Sequence, residues 1–192
     1  YMFLGELITN LELEPDQPVD YDCGDCNRCV EACPTSCLLG DSTMDAKRCL
    51  SFQTQDKGMM DLEFRKKIKT VIYGCDICQI CCPYNKGIDS PPLVDIDPDL
   101  AQPELIPFLD LTNGQFKEKF GLIAASWRGK NILQRNAIIA LANAHDRSAI
   151  PKLLEIIDKG QNPIHAATAI WALGELVKEP SEDLVAFIEG IQ

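Results

Sequence analysis

Cysteine is the residue in this chain most able to do chemistry, because ten cysteines occur among 192 residues. They lie in two tight groups plus Cys49, and none follows Cys82. Secreted disulfide proteins spread their cysteines among turns, whereas grouped cysteines favour a bound metal in a reducing compartment. The sequence therefore predicts a cytoplasmic metalloprotein.

The first cysteine group has the ligand spacing of bacterial ferredoxins, C-x-x-C-x-x-C-x-x-x-C-P. Its members are Cys23, Cys26, Cys29 and Cys33. Three thiolates separated by two residues can bind three irons of one cluster, while the fourth leaves on a helical turn and binds the other cluster. Zinc sites use similar C-x-x-C pairs, but they do not explain the Cys-Pro endings of both groups or the presence of only two histidines. We therefore predict two 4Fe-4S clusters.

The second cysteine group departs from the ferredoxin spacing and leaves two assignments. If Cys81 is the third ligand of the second cluster, the adjacent residues Cys81 and Cys82 serve different clusters, which is a strained geometry. We prefer the assignment that recruits Cys49 instead. One cluster is then bound by Cys23, Cys26, Cys29 and Cys82, and the other by Cys33, Cys49, Cys75 and Cys78. Cys37 and Cys81 are predicted to be buried free thiols.

The elements that must position these cysteines fall into four segments. Residues 1–22 hold an apolar stretch at 1–8, predicted to be a short strand that ends a missing upstream domain, and then an acidic connector. Residues 23–89 form the cluster module, in which 61–72 is a predicted helix. Residues 90–110 contain five prolines and are predicted to be an irregular linker.

The last segment, residues 111–192, has the apolar spacing of helices. A shift of 32 residues superposes Ala137 on Ala169 and Leu141 on Leu173. This repeat predicts antiparallel helix pairs of HEAT type, with helices at 131–144, 149–158, 164–178 and 182–191. A four-helix cap with accidental similarity is the alternative. The predicted fold class is mostly α (α+β): a two-cluster bacterial-ferredoxin-like module followed by HEAT-like α-helical repeats.

Three stretches that contain the cysteines resemble epoxyqueuosine reductase, the last enzyme in the synthesis of the tRNA nucleoside queuosine. They read CGDCNRCVEACPTSC, DAKRCLSFQT and YGCDICQICCPYN, and the resemblance extends to LGEL near the start and to RNAIIALAN in the repeat. The family's pattern supports Cys49 as a ligand. The family has an apolar residue where this chain has Cys81, and a small residue where it has Cys37.

The resemblance implies an oxidoreductase that reduces epoxyqueuosine to queuosine in the wobble position of the tRNA anticodon. Its cofactors would be two 4Fe-4S clusters and cobalamin, with electrons passing from the clusters to the corrin cobalt. The family's cobalamin domain and its proton-donating acid lie upstream of Tyr1, so no catalytic residue is predicted in this chain. Ser51 and Asp76, which lie beside predicted ligands, are expected to contact the corrin.

The implied partners are a tRNA that carries epoxyqueuosine and an electron donor whose identity the sequence does not define. Because the formal net charge is -11, contacts with RNA must come from local basic patches. The predicted tRNA-binding residues are Lys57, Arg65, Lys66, Lys67, Lys86, Arg128, Lys130 and Arg135. A monomer without membrane association is expected. A ferredoxin-like electron carrier and a relative of reductive dehalogenases are the alternative functions.

Overall fold

The computed structural model describes residues 5–19, 22–88, 95–177 and 190, and these are mostly helical. The α-helices are α1 (Arg28–Ala32), α2 (Leu50–Gln53), α3 (Leu62–Arg65), α4 (Ile77–Ile80), α5 (Pro98–Ala101), α6 (Leu105–Leu109), α7 (Asn113–Phe120), α8 (Lys130–Asn143), α9 (Ile150–Lys159) and α10 (Pro163–Leu176). Short 3-10 helices cover Ala46–Arg48, Pro83–Asn85, Ala124–Arg128 and Arg147–Ala149. The mostly α fold class is confirmed.

Strand structure in these ranges is limited to an isolated antiparallel bridge between Leu38 and Met44. The predicted strand at residues 1–8 is wrong for the four residues that the structure describes, 5–8, which are exposed and irregular. A lone extended segment has no neighbouring strand to satisfy its backbone groups. Residues 1–4 lie outside the described ranges.

The cluster module consists of short helices separated by cysteine-containing turns. Helices α1 and α4 contact each other, and each is followed by a Cys-Pro pair, Cys33-Pro34 and Cys82-Pro83. Both cysteines are in the extended conformation, which is the conformation that a following proline favours. Each Cys-Pro pair therefore ends its helix and turns the cysteine away from the helix axis. The predicted helix at 61–72 is shorter than expected, because α3 ends at Arg65 and turns follow.

The proline-rich linker contains more regular structure than predicted. Helix α5 begins where Asp97 accepts a hydrogen bond from the Asp99 N–H, with Pro98 at the first helical position, where its missing N–H costs nothing. Pro107 lies in the first turn of α6 for the same reason. Phe108 of α6 is buried. The linker prediction is therefore wrong for much of 95–110, and residues 89–94 lie outside the described ranges.

The helical segment is held together by the packing of α10 against α8 and α9. Ala137 and Ala169, which the 32-residue shift superposes, are both buried, and so are Leu141 and Leu173. Ile138 is buried but Ile170 is 58% exposed, so the two copies are not packed alike. The HEAT class stays a prediction, and the helix predicted at 182–191 lies outside the described ranges except for residue 190. In the part of the chain that the structure describes, no helix meets the length and hydropathy needed to cross a membrane.

Helix α8 joins the two halves of the molecule through buried polar side chains. Arg135 is 1% exposed, and its Nη1 donates to the carbonyls of Asp56 and Gly58 at 2.8 and 2.7 Å. Asn136 donates to the carbonyls of Thr54 and Ile72 at 2.7 and 2.8 Å. Asn143 donates in the same way to two further carbonyls, those of Arg65 and Lys69. Because buried carbonyls need donors, α8 fixes the turns of the cluster module in place.

Candidate metal centre

The first cysteine group lies on an exposed turn that leads into α1. The Cys26 N–H donates to the Cys23 carbonyl at 3.0 Å, and Gly24, with φ of +48°, supplies the left-handed backbone conformation that this turn requires. Cys23 and Cys26 are exposed, and Cys29 is half-buried in α1. Cys23 and Cys26 are therefore accessible to solvent, and Cys29 is partly accessible.

A long-range hydrogen bond brings the end of the second group to the first. The Tyr84 hydroxyl donates to the carbonyl of Asp22 at 3.0 Å, and these residues stand beside Cys82 and Cys23 in the sequence. Together with the contact between α1 and α4, this bond supports the predicted exchange of Cys82 into the cluster of Cys23, Cys26 and Cys29.

Two further hydrogen bonds tie the segment of Cys49 to the segments of Cys33 and Cys75. The Arg48 Nε donates to the carbonyl of Thr35 at 3.0 Å. The Gly74 N–H donates to the Thr54 hydroxyl, also at 3.0 Å. Both bonds join residues close to a predicted ligand, so three separate stretches of chain meet at the second cysteine set.

The thiols of this second set influence one another electrostatically. Burial raises the pKa of Cys75, and the charges of Cys49 and Cys33 raise it further. Burial also raises the pKa of Cys78, with the charges of Cys75 and Cys49 adding to the effect. Thiolates that repel one another in this way are stabilised by positive metal ions. The donor set of Cys33, Cys49, Cys75 and Cys78 therefore suits a multi-iron centre.

A single metal ion and a 4Fe-4S cluster require different distances between their cysteine ligands. In the described ranges, no three Cys, His, Asp or Glu side chains converge tightly enough to hold one metal ion. Four thiolates on one zinc each lie about 2.3 Å from the same point. A 4Fe-4S cluster binds each thiolate through a separate iron, so its ligands lie farther apart. The described ranges therefore contain no tight single-ion site, and the assignment of clusters rests on the cysteine pattern.

Cys37, the thiol that follows the first group, is buried against a predicted ligand. Its Sγ lies 3.4 Å from the Sγ of Cys33, and its backbone N–H also donates to that sulfur at 3.4 Å. The Thr35 hydroxyl lies 3.6 Å from the same sulfur. Burial raises the pKa of Cys33, but the hydrogen bonds from Thr35 and Cys37 outweigh it and lower the pKa to about 7. Burial and the nearby Cys33 raise the pKa of Cys37 to about 12.

The lowered pKa of Cys33 and the raised pKa of Cys37 favour Cys33 as the thiolate and Cys37 as the donor between the two sulfurs. The cysteine spacing does not indicate that Thr35 contacts the Cys33 sulfur. A hydroxyl residue just after a Cys-Pro pair is a usable signal for such a donor. Cys81 is half-buried, not fully buried as predicted, and its thiol donates to the Cys78 carbonyl at 3.3 Å. Its contact is therefore with the backbone and not with another sulfur.

Cys37→Ala is expected to keep both clusters and to lower the reduction potential of one. Loss of a donor to the Cys33 sulfur destabilises the reduced, more negative cluster more than the oxidised one. The shift should be on the order of tens of millivolts, since 59 mV is a tenfold change for one electron. Redox titration followed by electron paramagnetic resonance measures it, with Cys37→Ser as the control that keeps a donor. Loss of four irons on substitution would instead make Cys37 a ligand.

Ser51 lies in α2 and Asp76 directly precedes α4, and both stand next to predicted ligands of the second cysteine set. Ser51 is half-buried in α2, and its hydroxyl is 3.3 Å from the side-chain amide of Gln55. Asp76 precedes α4, is exposed, and does not cap that helix with its side chain. The exposed carboxylate of Asp76 can accept hydrogen bonds from a ligand docked on the module.

The eight basic residues predicted to contact tRNA occupy different environments. Lys57, Lys66 and Lys86 are exposed, and Lys67, Arg128 and Lys130 are half-buried. Lys66 pairs with Glu175 at 2.9 Å and Lys67 with Glu63 at 3.3 Å, but pairs on the surface are weak and exchange readily. These six side chains stay candidates for phosphate contacts.

The other two, Arg65 and Arg135, are buried, and the prediction is corrected for them. Arg65 donates to the Met60 carbonyl at 2.8 Å and lies over the ring of Trp171 at 5.1 Å. Arg135, which belongs to α8, is buried beneath the carbonyls to which it donates. A buried guanidinium that satisfies backbone carbonyls cannot also reach a phosphate. Both residues hold the protein together instead.

Comparison with known proteins places these features in a wider context. A family model described as a 4Fe-4S double cluster binding domain matches residues 22–85. An epoxyqueuosine reductase from Lactococcus garvieae is 59% identical over 92% of this chain and 51% of that protein. The structure of epoxyqueuosine reductase from Streptococcus thermophilus is 76% identical, with a TM-score of 0.92 over 95% of this chain and 49% of that one.

A further solved structure is an epoxyqueuosine reductase with a tRNA-Tyr epoxyqueuosine-modified stem loop. It is 44% identical to this chain, with a TM-score of 0.81, and the match covers 92% of this chain and 51% of that one. The chain thus spans about half the length of each of the relatives reported above.

Proposed function

The chain belongs to the epoxyqueuosine reductase family, and from this premise we propose that it is the electron-transfer and tRNA-docking part of such an enzyme. The complete enzyme reduces epoxyqueuosine to queuosine in the wobble position of a tRNA anticodon. The observation that carries the proposal is the meeting of three cysteine-bearing segments through Arg48 and Thr54. It occurs within the stretch matched by the double-cluster model.

The proposal assigns two 4Fe-4S clusters to eight cysteines. The first set is Cys23, Cys26, Cys29 and Cys82, and the second is Cys33, Cys49, Cys75 and Cys78. The clusters would supply electrons one at a time, as a cobalt centre requires. The chain's own part is to hold the thiolates and to donate hydrogen bonds to Cys33 from Thr35 and Cys37.

Cobalamin is the second proposed cofactor, bound mainly by residues outside this chain. Ser51 and Asp76 stand beside the second cysteine set, so the side-chain amides of a corrin docked there could donate hydrogen bonds to the Asp76 carboxylate and form hydrogen bonds with the Ser51 hydroxyl. The exposed carboxylate of Asp76 supports this position. A corrin held at that face would lie next to the electron source.

The proposed tRNA-binding residues are the six accessible ones: Lys57, Lys66, Lys67, Lys86, Arg128 and Lys130. A relative's structure with a modified tRNA stem loop supports this partner. We further propose a cytoplasmic monomer, served by an electron donor, whose helical segment is HEAT-like. A simple electron carrier or a dehalogenase relative would have no evident use for this helical segment, which α8 attaches firmly to the cluster module.

Two measurements test this function together. The chain, isolated anaerobically, should contain about eight irons and eight sulfides by the count for two such clusters. The full-length protein that contains the chain should convert epoxyqueuosine to queuosine in tRNA when a low-potential reductant and cobalamin are present. Four irons per chain would contradict the two-cluster assignment. Eight irons without tRNA conversion would favour the electron carrier.

A further inference from the structure

Trp127, between α7 and α8, is a large aromatic side chain held at the surface. It belongs to the 3-10 helix Ala124–Arg128 and is 60% exposed. Its indole Nε1 donates to the side-chain oxygen of Gln55 at 2.9 Å. The hydrogen bond fixes the edge of the ring while most of its surface remains in solvent. An exposed ring held in this way is suited to contact a partner.

The neighbouring Arg128 covers part of this ring. Its guanidinium carbon lies 3.8 Å from the centre of the Trp127 ring. The Arg128 Nε is buried without a hydrogen-bond partner in the described structure. A guanidinium stacked on an indole forms a flat surface that is both aromatic and positively charged. Nucleobases of single-stranded RNA stack on aromatic rings and guanidinium planes of this kind.

Two further basic residues belong to the segments that meet at this pair, the loop after Gln55 and the start of α8. Lys57 is exposed and lies two residues from Gln55, and Lys130 is half-buried at the start of α8. One acidic residue, Asp56, also lies on the loop, where its carboxylate accepts a hydrogen bond from the Lys57 N–H at 2.9 Å. Positive charge therefore exceeds negative charge here, in a chain whose net charge is -11. Local basic charge of this kind attracts phosphates.

Gln55 connects this surface to the cluster module. Its side-chain amide donates to the carbonyl of Ser51 at 2.9 Å, and Ser51 follows the predicted ligand Cys49 by two residues. The Trp127 ring is thus coupled through one side chain to the helix beside the second cysteine set. A base bound on the ring would therefore be held at a fixed position relative to the second cysteine set.

We propose that Trp127 and Arg128 form a stacking platform for an unpaired RNA base, with Lys57 and Lys130 contacting the adjoining phosphates. This inference rests on the proposed tRNA-docking function and names the residues that would hold a loop nucleotide. An unpaired base is required because bases inside a duplex do not present their faces. The positions of the basic residues alone do not indicate this platform. An aromatic residue next to an arginine in the sequence is a signal for it.

The tryptophan content of the chain allows a direct test. The chain has two tryptophans, and Trp171 is the partly buried one that packs against Arg65. In a Trp171→Phe variant of the cluster-loaded chain, tryptophan fluorescence comes from Trp127 alone. Titration with an unmodified anticodon stem-loop RNA should quench this fluorescence. In a parallel titration, the fluorescence anisotropy of labelled RNA reports binding directly. The quenching should reach saturation at the same RNA concentration as the change in anisotropy.

Substitutions at two positions separate stacking from charge. Trp127→Ala should weaken RNA binding by about fivefold to a hundredfold, the range for loss of one stacked base, with an unchanged salt dependence. Trp127→Phe, which keeps an aromatic face, should recover most of the affinity. Lys57→Gln should weaken binding and also flatten the dependence on salt by about one phosphate contact.

The outcomes distinguish this inference from the function on which it rests. RNA binding that leaves Trp127 fluorescence and the affinity of Trp127→Ala unchanged would overturn the platform while keeping tRNA docking. Equal quenching by a blunt-ended, fully paired RNA duplex or by heparin would also overturn it, because neither offers an unpaired base. No binding of the stem-loop by the cluster-loaded chain would overturn both proposals.

Discussion

Cys49→Ala is expected to reduce the iron content of the chain from about eight to about four, whereas Cys81→Ala keeps about eight. Cys49 lies on a segment that is hydrogen-bonded to the segments of Cys33 and Cys75. Without its thiolate, the second cluster has three ligands and an iron open to solvent. Cys81 is turned to the Cys78 carbonyl, so its loss removes no proposed ligand.

The nearby thiol of Cys37 needs its own control in this experiment. Burial, Cys33 and the charge of Cys49 all raise the pKa of Cys37, which means that Cys37 lies near enough to interact with both. It could replace Cys49 as a ligand. The double variant Cys37→Ala with Cys49→Ala excludes this replacement and should contain about four irons.

Iron and sulfide analysis with electron paramagnetic resonance of the reduced chain measures the outcome. Retention of about eight irons in the double variant, with loss of a cluster in Cys81→Ala, would restore the ferredoxin-style assignment. That result would make the adjacent residues Cys81 and Cys82 ligands of different clusters. Unfolding is monitored separately by circular dichroism, so that a collapsed chain is not mistaken for the loss of one ligand.

The cluster type could be predicted from sequence because its ligands are largely local. The turns that place Cys23, Cys26 and Cys29 are each closed by neighbouring residues, so the spacing carries the information. Cys49 is different. Its segment is positioned by the Arg48–Thr35 and Thr54–Gly74 bonds, which join residues 13 and 20 positions apart. No local pattern specifies such bonds. Cys49 entered the prediction because the adjacent residues Cys81 and Cys82 would otherwise have to serve different clusters, and the family resemblance supported it.

The errors have physical causes that a count of residue types does not register. The five prolines predict an irregular linker at 90–110, but Pro98 and Pro107 occupy first turns, where the missing N–H is harmless. The basic charge of Arg135 predicts an accessible contact with tRNA. Arg135 lies within the uninterrupted buried run 133–142 of α8, and its position among the apolar residues of a predicted helix could have indicated burial.

Arg135→Met is expected to lower the free energy of unfolding by about 3 kcal/mol or more, the range for breaking a buried polar network. Methionine approximates the length of the side chain and removes the donors. The carbonyls of Gln53, Asp56 and Gly58 would then lose their contacts with the guanidinium. Burial lowers the pKa of Arg135 to about 10, so the side chain is still protonated at neutral pH and these carbonyls stabilise its charge.

The matched control is Arg147→Met, the same substitution at an exposed position, which should change stability by less than about 0.5 kcal/mol. Urea unfolding at equal cluster loading gives both values, and hydrogen exchange locates the effect. If α8 holds the cluster module by these carbonyls, exchange in Arg135→Met should rise first in residues 53–58 and then in the loop of Cys49. Equal stability of the two variants would mean that the apolar contacts of α8 are sufficient, and the polar side chains would then serve only to set the register of the module on the helix.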